Sequence, residues 1–117
     1  PVTPFDPWGA VRAALFHHAP EQRITARAAF RAHTRGGWRL AGLDGTGAGE
    51  IRVGAPAHLA VWHTDALVVQ VPEGALPRWS TDARAGTPLL PDLSDPEARP
   101  ECVLTLRAGR VLFDAQA

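Results

Sequence analysis

The stretch Gly54-Ala55-Pro56-Ala57-His58-Leu59-Ala60-Val61-Trp62 decides the fold. A glycine and a proline, both poor inside strands, lead into a short apolar run of aliphatic and aromatic side chains. That pattern predicts a turn feeding a strand over 57–63, buried on at least one face. Upstream of it the chain reads as helix, and downstream as strands and a proline-rich loop. The stretch holds no acid, cysteine or hydroxyl nucleophile, so it reads as scaffold.

Working upstream, Leu43 to Gly49 is a glycine-rich turn region. A phosphate cradle needs the order strand, glycine turn, helix. Here the glycines follow a helix and precede a strand, so the segment reads as a loop. Before it, Thr25 is a candidate N-cap, and Ala26, Ala29, Phe30 and His33 follow with helical spacing. Gly36-Gly37 supplies a stop, although Trp38 to Leu40 can extend or restart the helix. Earlier still, Asp6-Pro7 is a strong helix start: aspartate caps an orphan N–H, and proline at the first helical position loses nothing by lacking its own. Trp8, Val11 and Leu15 line one apolar face, and Pro20 predicts an end near His17 or His18.

Downstream, Leu67 to Val71 is a second β-type run closed by Pro72. Residues 73–100 form a long connection punctuated by Pro77, Pro88, Pro91, Pro96 and Pro100. Cys102 to Leu106 and Arg110 to Phe113 flank Ala108-Gly109, a tight hairpin with Gly109 left-handed and room for a three-residue loop with a glycine bulge. Cys102, Leu104 and Leu106 fall on one strand face, which predicts a buried Cys102. The fold class expected is α+β, with two N-terminal helices followed by about four β-strands; residues 1–42 form the helical part and 43–117 the strands.

Composition narrows the function. The chain has 117 residues and 45% apolar content, enough for one core. Its formal net charge is zero, which argues against a nucleic-acid surface or an anionic-membrane patch. All 12 basic residues are arginine, so lysine Schiff-base chemistry and a carboxylated-lysine metal bridge are excluded. One cysteine cannot form an internal disulfide, and no apolar run approaches the ~20 residues of a membrane span. A cytoplasmic protein is expected. The sequence opens Pro1-Val2 and holds no methionine, which we read as a portion cut from a longer protein.

Five histidines raise a metal site. His17 and His18 are adjacent, and on a helix they would diverge by about 100°. His33 lies on the apolar side of the second helix, and His58 and His63 fall on opposite strand faces. None of these spacings suits one ion. Asp82, Asp92, Asp95 and Glu97 read as solvated loop acids, and Ser80 and Thr81 lack an activating context. Arg27, Arg31, Arg35 and Arg39 form a ridge that reads as a solvated helix face, with a partner-binding stripe as the sharper alternative. Trp8, Trp38, Trp62 and Trp79 read as packing anchors before stacking platforms. No catalytic, cofactor-binding or metal residue is assigned.

Pro1-Val2-Thr3-Pro4-Phe5-Asp6-Pro7-Trp8 resembles the segment after the last barrel strand of metal-dependent amidohydrolases, specifically the amidohydrolase family 3 branch. There a Ser-Asp-x-Pro-Val stretch ends the strand and an Asp-Pro loop leads into the final barrel helix. Ile24 to Trp38 resembles the next helix, with His33-Thr34 where the family has Tyr-Thr. Gly54 to Val61 resembles its Gly-x-x-Ala-Asp-Leu-x-Val strand, with His58 in place of the aspartate. Arg107 to Phe113 resembles its final Gly-x-Val-x-aromatic strand.

The resemblance implies the C-terminal segment of such a hydrolase, acting on non-peptide C–N bonds. It would comprise the last helical layer of a (β/α)8 barrel and the C-terminal strands of a composite β-sandwich. It also implies a divalent metal, zinc, held upstream of Pro1, which would lower the pKa of a bound water. The loop from Pro1 to Asp6 would lie at the active-site mouth. The partners expected are the missing N-terminal part of the same protein and further copies through self-association, with no nucleic acid and no membrane. Two other readings stay open: an independent α+β binding or oligomerisation module, and a small self-sufficient enzyme using His33 or Asp82.

Overall fold

The computed structural model describes residues 2, 4–69 and 89–117. The fold is α+β, and the chain divides into two compact units. One takes in Pro1–Phe30 and Asp65–Arg99, the other Arg31–Thr64 and Pro100–Ala117.

In the first unit, α1 (Pro7–Leu15) starts where Asp6 Oδ1 accepts the Gly9 N–H at 2.8 Å, with Pro7 in the first turn. A Cβ at Gly9 would run into the Asp6 carboxylate, so a larger residue there would have to shift the capping side chain. The helix ends at Leu15, two residues before the expected His17: the Phe16 N–H makes the last helical bond, to Arg12 O, and Phe16 itself leaves helical dihedrals. A 3-10 turn at Pro20–Gln22 follows. Thr25 Oγ1 then accepts the Ala28 N–H at 3.2 Å and caps α2 (Ala26–Arg31), as the sequence predicts.

Val11, Ala29 and Leu93 are buried together, with Trp8, Ala14, Leu15 and Phe16 packed around them. Trp8 and Phe30 stack with ring centroids 6.3 Å apart. Arg12 fastens this core: its Nε donates to Leu93 O at 3.0 Å, and its guanidinium lies 5.4 Å from the Phe16 ring centroid. A two-stranded antiparallel ribbon pairs β2 (Leu67–Val68) with β3 (Leu90–Pro91). Of the expected run to Val71, Leu67 and Val68 pair and Val69 does not, while Gln70 onwards lies outside the described residues. β3 falls in the stretch expected to be loop. Pro91 lacks an N–H donor, and a two-residue strand asks few ladder bonds of it.

In the second unit the helix does not stop at Gly36-Gly37. Both glycines keep right-handed helical dihedrals, within a π turn (Ala32–Gly36) and then α3 (Gly37–Leu40). The true stop is Gly42, left-handed at φ 72°. Its N–H bonds to Arg39 O at 3.0 Å and the Leu43 N–H to Trp38 O at 2.9 Å, the paired closure of a Schellman motif. The glycine segment is loop, as expected, with a 3-10 turn at Asp44–Thr46. It lies flush on the helix: a Cβ on Gly49 would stand 2.7 Å from Arg35 Cα. Glu50 locks it there, taking Arg35 Nη1 at 2.7 Å and Arg52 Nε at 3.2 Å.

The sheet runs β1 (Leu59–His63), β4 (Glu101–Arg107), β5 (Arg110–Asp114), all antiparallel, in the order β1-β4-β5. The hairpin is tighter than a three-residue loop. Ala108 and Gly109 both take positive φ, 49° and 79°, and Arg107 pairs directly with Arg110, as in a type I′ turn.

Two expectations fail in this sheet. The 57–63 strand is not buried on a face: Ala60, Val61 and His63 are exposed, and no residue of β1, β4 or β5 is buried. Cys102 is only half-buried and does not follow a simple alternation with Leu104 and Leu106. Val103 is an extra residue on β4 between the Trp62–Cys102 and Val61–Leu104 pairs. That bulge reverses the side-chain parity, so Cys102 Sγ meets Thr105 Oγ1 at 3.4 Å, three residues away.

Candidate functional site

Each group that could do chemistry is positioned by a local backbone feature. His17 follows the end of α1, and its ring stacks on His18 with centroids 4.2 Å apart, tilted by 32°. The rings therefore approach rather than diverge, because both lie beyond the helix. His17 Nδ1 takes the Ala19 N–H at 3.2 Å, which engages one of the nitrogens a metal could use. His33 lies in the π turn and is exposed, not in an apolar seam.

His58 is the most constrained imidazole. It precedes β1, stacks on Trp38 with centroids 4.8 Å apart and planes 19° apart, and its Nδ1 accepts the Ala108 N–H at 3.1 Å. The neighbouring Gly109 N–H bonds to Ala57 O at 3.0 Å. Residues 57 and 58 thus hold both amides of the hairpin turn. A carboxylate at position 58, the residue the family resemblance leads one to expect, could accept the same bond. His58 thus stands in for an acceptor, which is a structural duty.

The loop acids are satisfied locally. Asp92 Oδ1 accepts the Ser94 hydroxyl at 2.6 Å and the Ser94 N–H at 3.0 Å. Those two bonds, the hydroxyl first, hold its carboxyl below the ordinary aspartate range against a smaller opposing effect of burial. Asp95 Oδ1 takes the Glu97 N–H at 2.8 Å. Ser80, Thr81, Asp82 and Trp79 lie outside the described residues. The arginine ridge is split in duty: Arg35 is tied to Glu50, while Arg27, Arg31 and Arg39 are exposed.

Among the described residues no three His, Cys, Asp or Glu side chains converge as a metal cage would require. No helix among them is long and apolar enough to cross a membrane. The feature that sequence reasoning missed is the contact between Asp6 and Arg99. Besides capping α1, Asp6 places its Oδ2 3.9 Å from Arg99 Nε, which ties the segment before α1 to the end of the long connection. Nothing in the spacing of residues 6 and 99 signals that pair.

The comparison with family models matches the amidohydrolase family over residues 1–113, nearly the whole chain. The chain belongs to the amidohydrolase family. Its class is therefore that of hydrolases of carbon–nitrogen bonds. No curated protein and no solved structure matches it.

Proposed function

We propose that this chain is the C-terminal, non-catalytic portion of a metal-dependent hydrolase acting on non-peptide C–N bonds. Its helices would supply the last layer of the barrel. Its strands would form one part of a composite β-sandwich completed by the missing N-terminal part of the same protein. A cytoplasmic location goes with this reading.

The observation that carries it is the state of the β1-β4-β5 sheet. A sheet with Leu59, Val61, Trp62, Leu104, Leu106, Val111, Leu112 and Phe113 has the composition of a core, yet buries none of them. Natural sheets cover such faces. Further strands from the same protein are the cover that the family resemblance supplies. The divalent metal implied for the family does not fit the described residues. His17 Nδ1 and His58 Nδ1 are taken by backbone amides, and no third donor joins either of them. No catalytic step is therefore assigned to this chain.

The test is to assay the 117-residue chain against amide, cyclic-amide and ester substrates with and without zinc. No hydrolysis is expected, and turnover should appear once the upstream portion of the reading frame is joined to it. Zinc-dependent turnover by the chain alone, surviving purification and abolished by His33→Ala or Asp82→Ala, would establish the self-sufficient enzyme instead. A cooperative monomer that binds no hydrophobic dye would favour the independent module.

A further inference from the structure

We propose that His58 is a pH-sensitive latch on the β4-β5 hairpin, closed while its ring is neutral and opened when the ring takes a proton. The ring stacks on Trp38 of α3 and its Nδ1 accepts the Ala108 N–H at 3.1 Å, all within one compact unit. A ring nitrogen that accepts must carry a lone pair, so the bond requires the neutral imidazole with its proton on Nε2. Protonation turns Nδ1 into a donor facing another donor, and the bond is lost.

The latch holds a turn that needs holding. Ala108 sits at φ 49°, the one non-glycine residue with positive φ among the described residues. A type I′ turn asks this of both central residues, and alanine adopts it less readily than glycine, asparagine or aspartate. The His58 acceptor fixes the Ala108 amide in that conformation. The neighbouring bond, Gly109 N–H to Ala57 O at 3.0 Å, runs between backbone groups and does not titrate. Acid therefore releases one amide of the turn and leaves the other tied.

The charged ring keeps its place, because an imidazolium over an indole face gains a cation–π attraction. The charged side chains on the elements packed against it are Arg39 on α3, Arg107 and Arg110 beside the turn, and Glu50 in the glycine loop that lies on Trp38. Glu50 is already held by Arg35 and Arg52. Among the described residues, then, no carboxylate pairs with His58 to offset the lost bond. An aspartate at position 58 would accept the same bond down to the lower pH range of carboxylates. The histidine is what makes the latch responsive.

Amide and imidazole NMR of the full, isotope-labelled chain through an acid titration tests this. The Ala108 amide proton should move upfield as the His58 ring is protonated, with the same midpoint, while the Gly109 amide shifts far less. His58→Phe keeps a ring against Trp38 and removes the acceptor, so its Ala108 amide should stay upfield at every pH. His58→Asp should hold that amide downfield through the range in which the parent's His58 titrates. An Ala108 amide that ignores protonation of His58 in the parent chain overturns the proposal, and that result needs no variant. So does an Ala108 titration that survives in His58→Phe, which would assign it to another group. Loss of the α1 amides together with Ala108 also overturns it, because acid would then be unfolding the chain rather than opening one bond.

Discussion

The two units of this chain contain similar side chains and treat them differently. The helical unit closes Val11, Ala29 and Leu93 into a core and adds Trp8 and Phe16 around it. The sheet unit buries Gly47 and Ala48 within its glycine loop and leaves its strands exposed or only half-buried. Hydrophobic composition therefore does not by itself say where a core closes. On the reading proposed above, what differs is whether the facing element lies within these residues.

The largest effect should come from testing that contrast directly. Leu93→Ala removes a fully buried side chain and should cost about 2–5 kcal/mol in denaturant melts. Phe113→Ala removes a larger side chain from an exposed strand and should change stability by only about 0.5 kcal/mol. Equal losses would erase the distinction between the units.

Next is the glycine loop. Gly49 combines φ 82° with close approach to the helix backbone at Arg35, so Gly49→Ala should destabilise by about 1–3 kcal/mol. The same change at Gly37, which is right-handed and has open space around its Cβ position, should stabilise by about 0.5–1 kcal/mol.

A smaller effect is expected at Asp6→Ala, about 0.5–2 kcal/mol, from loss of the α1 cap. The Arg99 contact should add little, because it is exposed and long. Arg99→Ala tested beside it separates the two roles.

How much of this was legible in the sequence follows from the range of each cause. Asp6-Pro7, Thr25 and Ala108-Gly109 were readable because caps and tight turns are set by two to four adjacent residues. Gly42 was equally local and carries the motif that stops the helix, but the Gly36-Gly37 pair looked stronger. Helical dihedrals are open to glycine wherever the flanking turns continue, and the π turn carried the helix through. The strand at Leu90–Pro91 was hidden by its proline. The bulge at Val103 arises from pairing between strands far apart in sequence, whereas that at Leu112 lies inside the β4-β5 hairpin and depends on how its register settles. The burial of β1 was misjudged for the same reason, because a strand's face is covered by elements its own residues do not specify. At the candidate sites, local spacing said little about partners. The His58 bond to Ala108 spans fifty positions and leaves no local mark.

The smallest expected effect concerns pH. Asp92 is held below its ordinary range in the folded state by Ser94. Its contribution is therefore present above the unfolded aspartate range and is lost as pH falls through the lower folded value. Acid titration of Ser94→Ala should show less of this loss than the parent chain, and an identical profile would remove Ser94 as the cause.

The central claim is that the β1-β4-β5 sheet is an open half awaiting the rest of its protein. Native-state amide hydrogen exchange tests it most directly, comparing the strands with α1 in dilute chain alone and then joined to its upstream portion. In the chain alone, amides of β1 and β5 should exchange through local opening, well before those around Val11 and Ala29. Joining the upstream portion should slow the strands by orders of magnitude and leave α1 less affected. Strand amides that already exchange as slowly as the core in the chain alone would contradict the account.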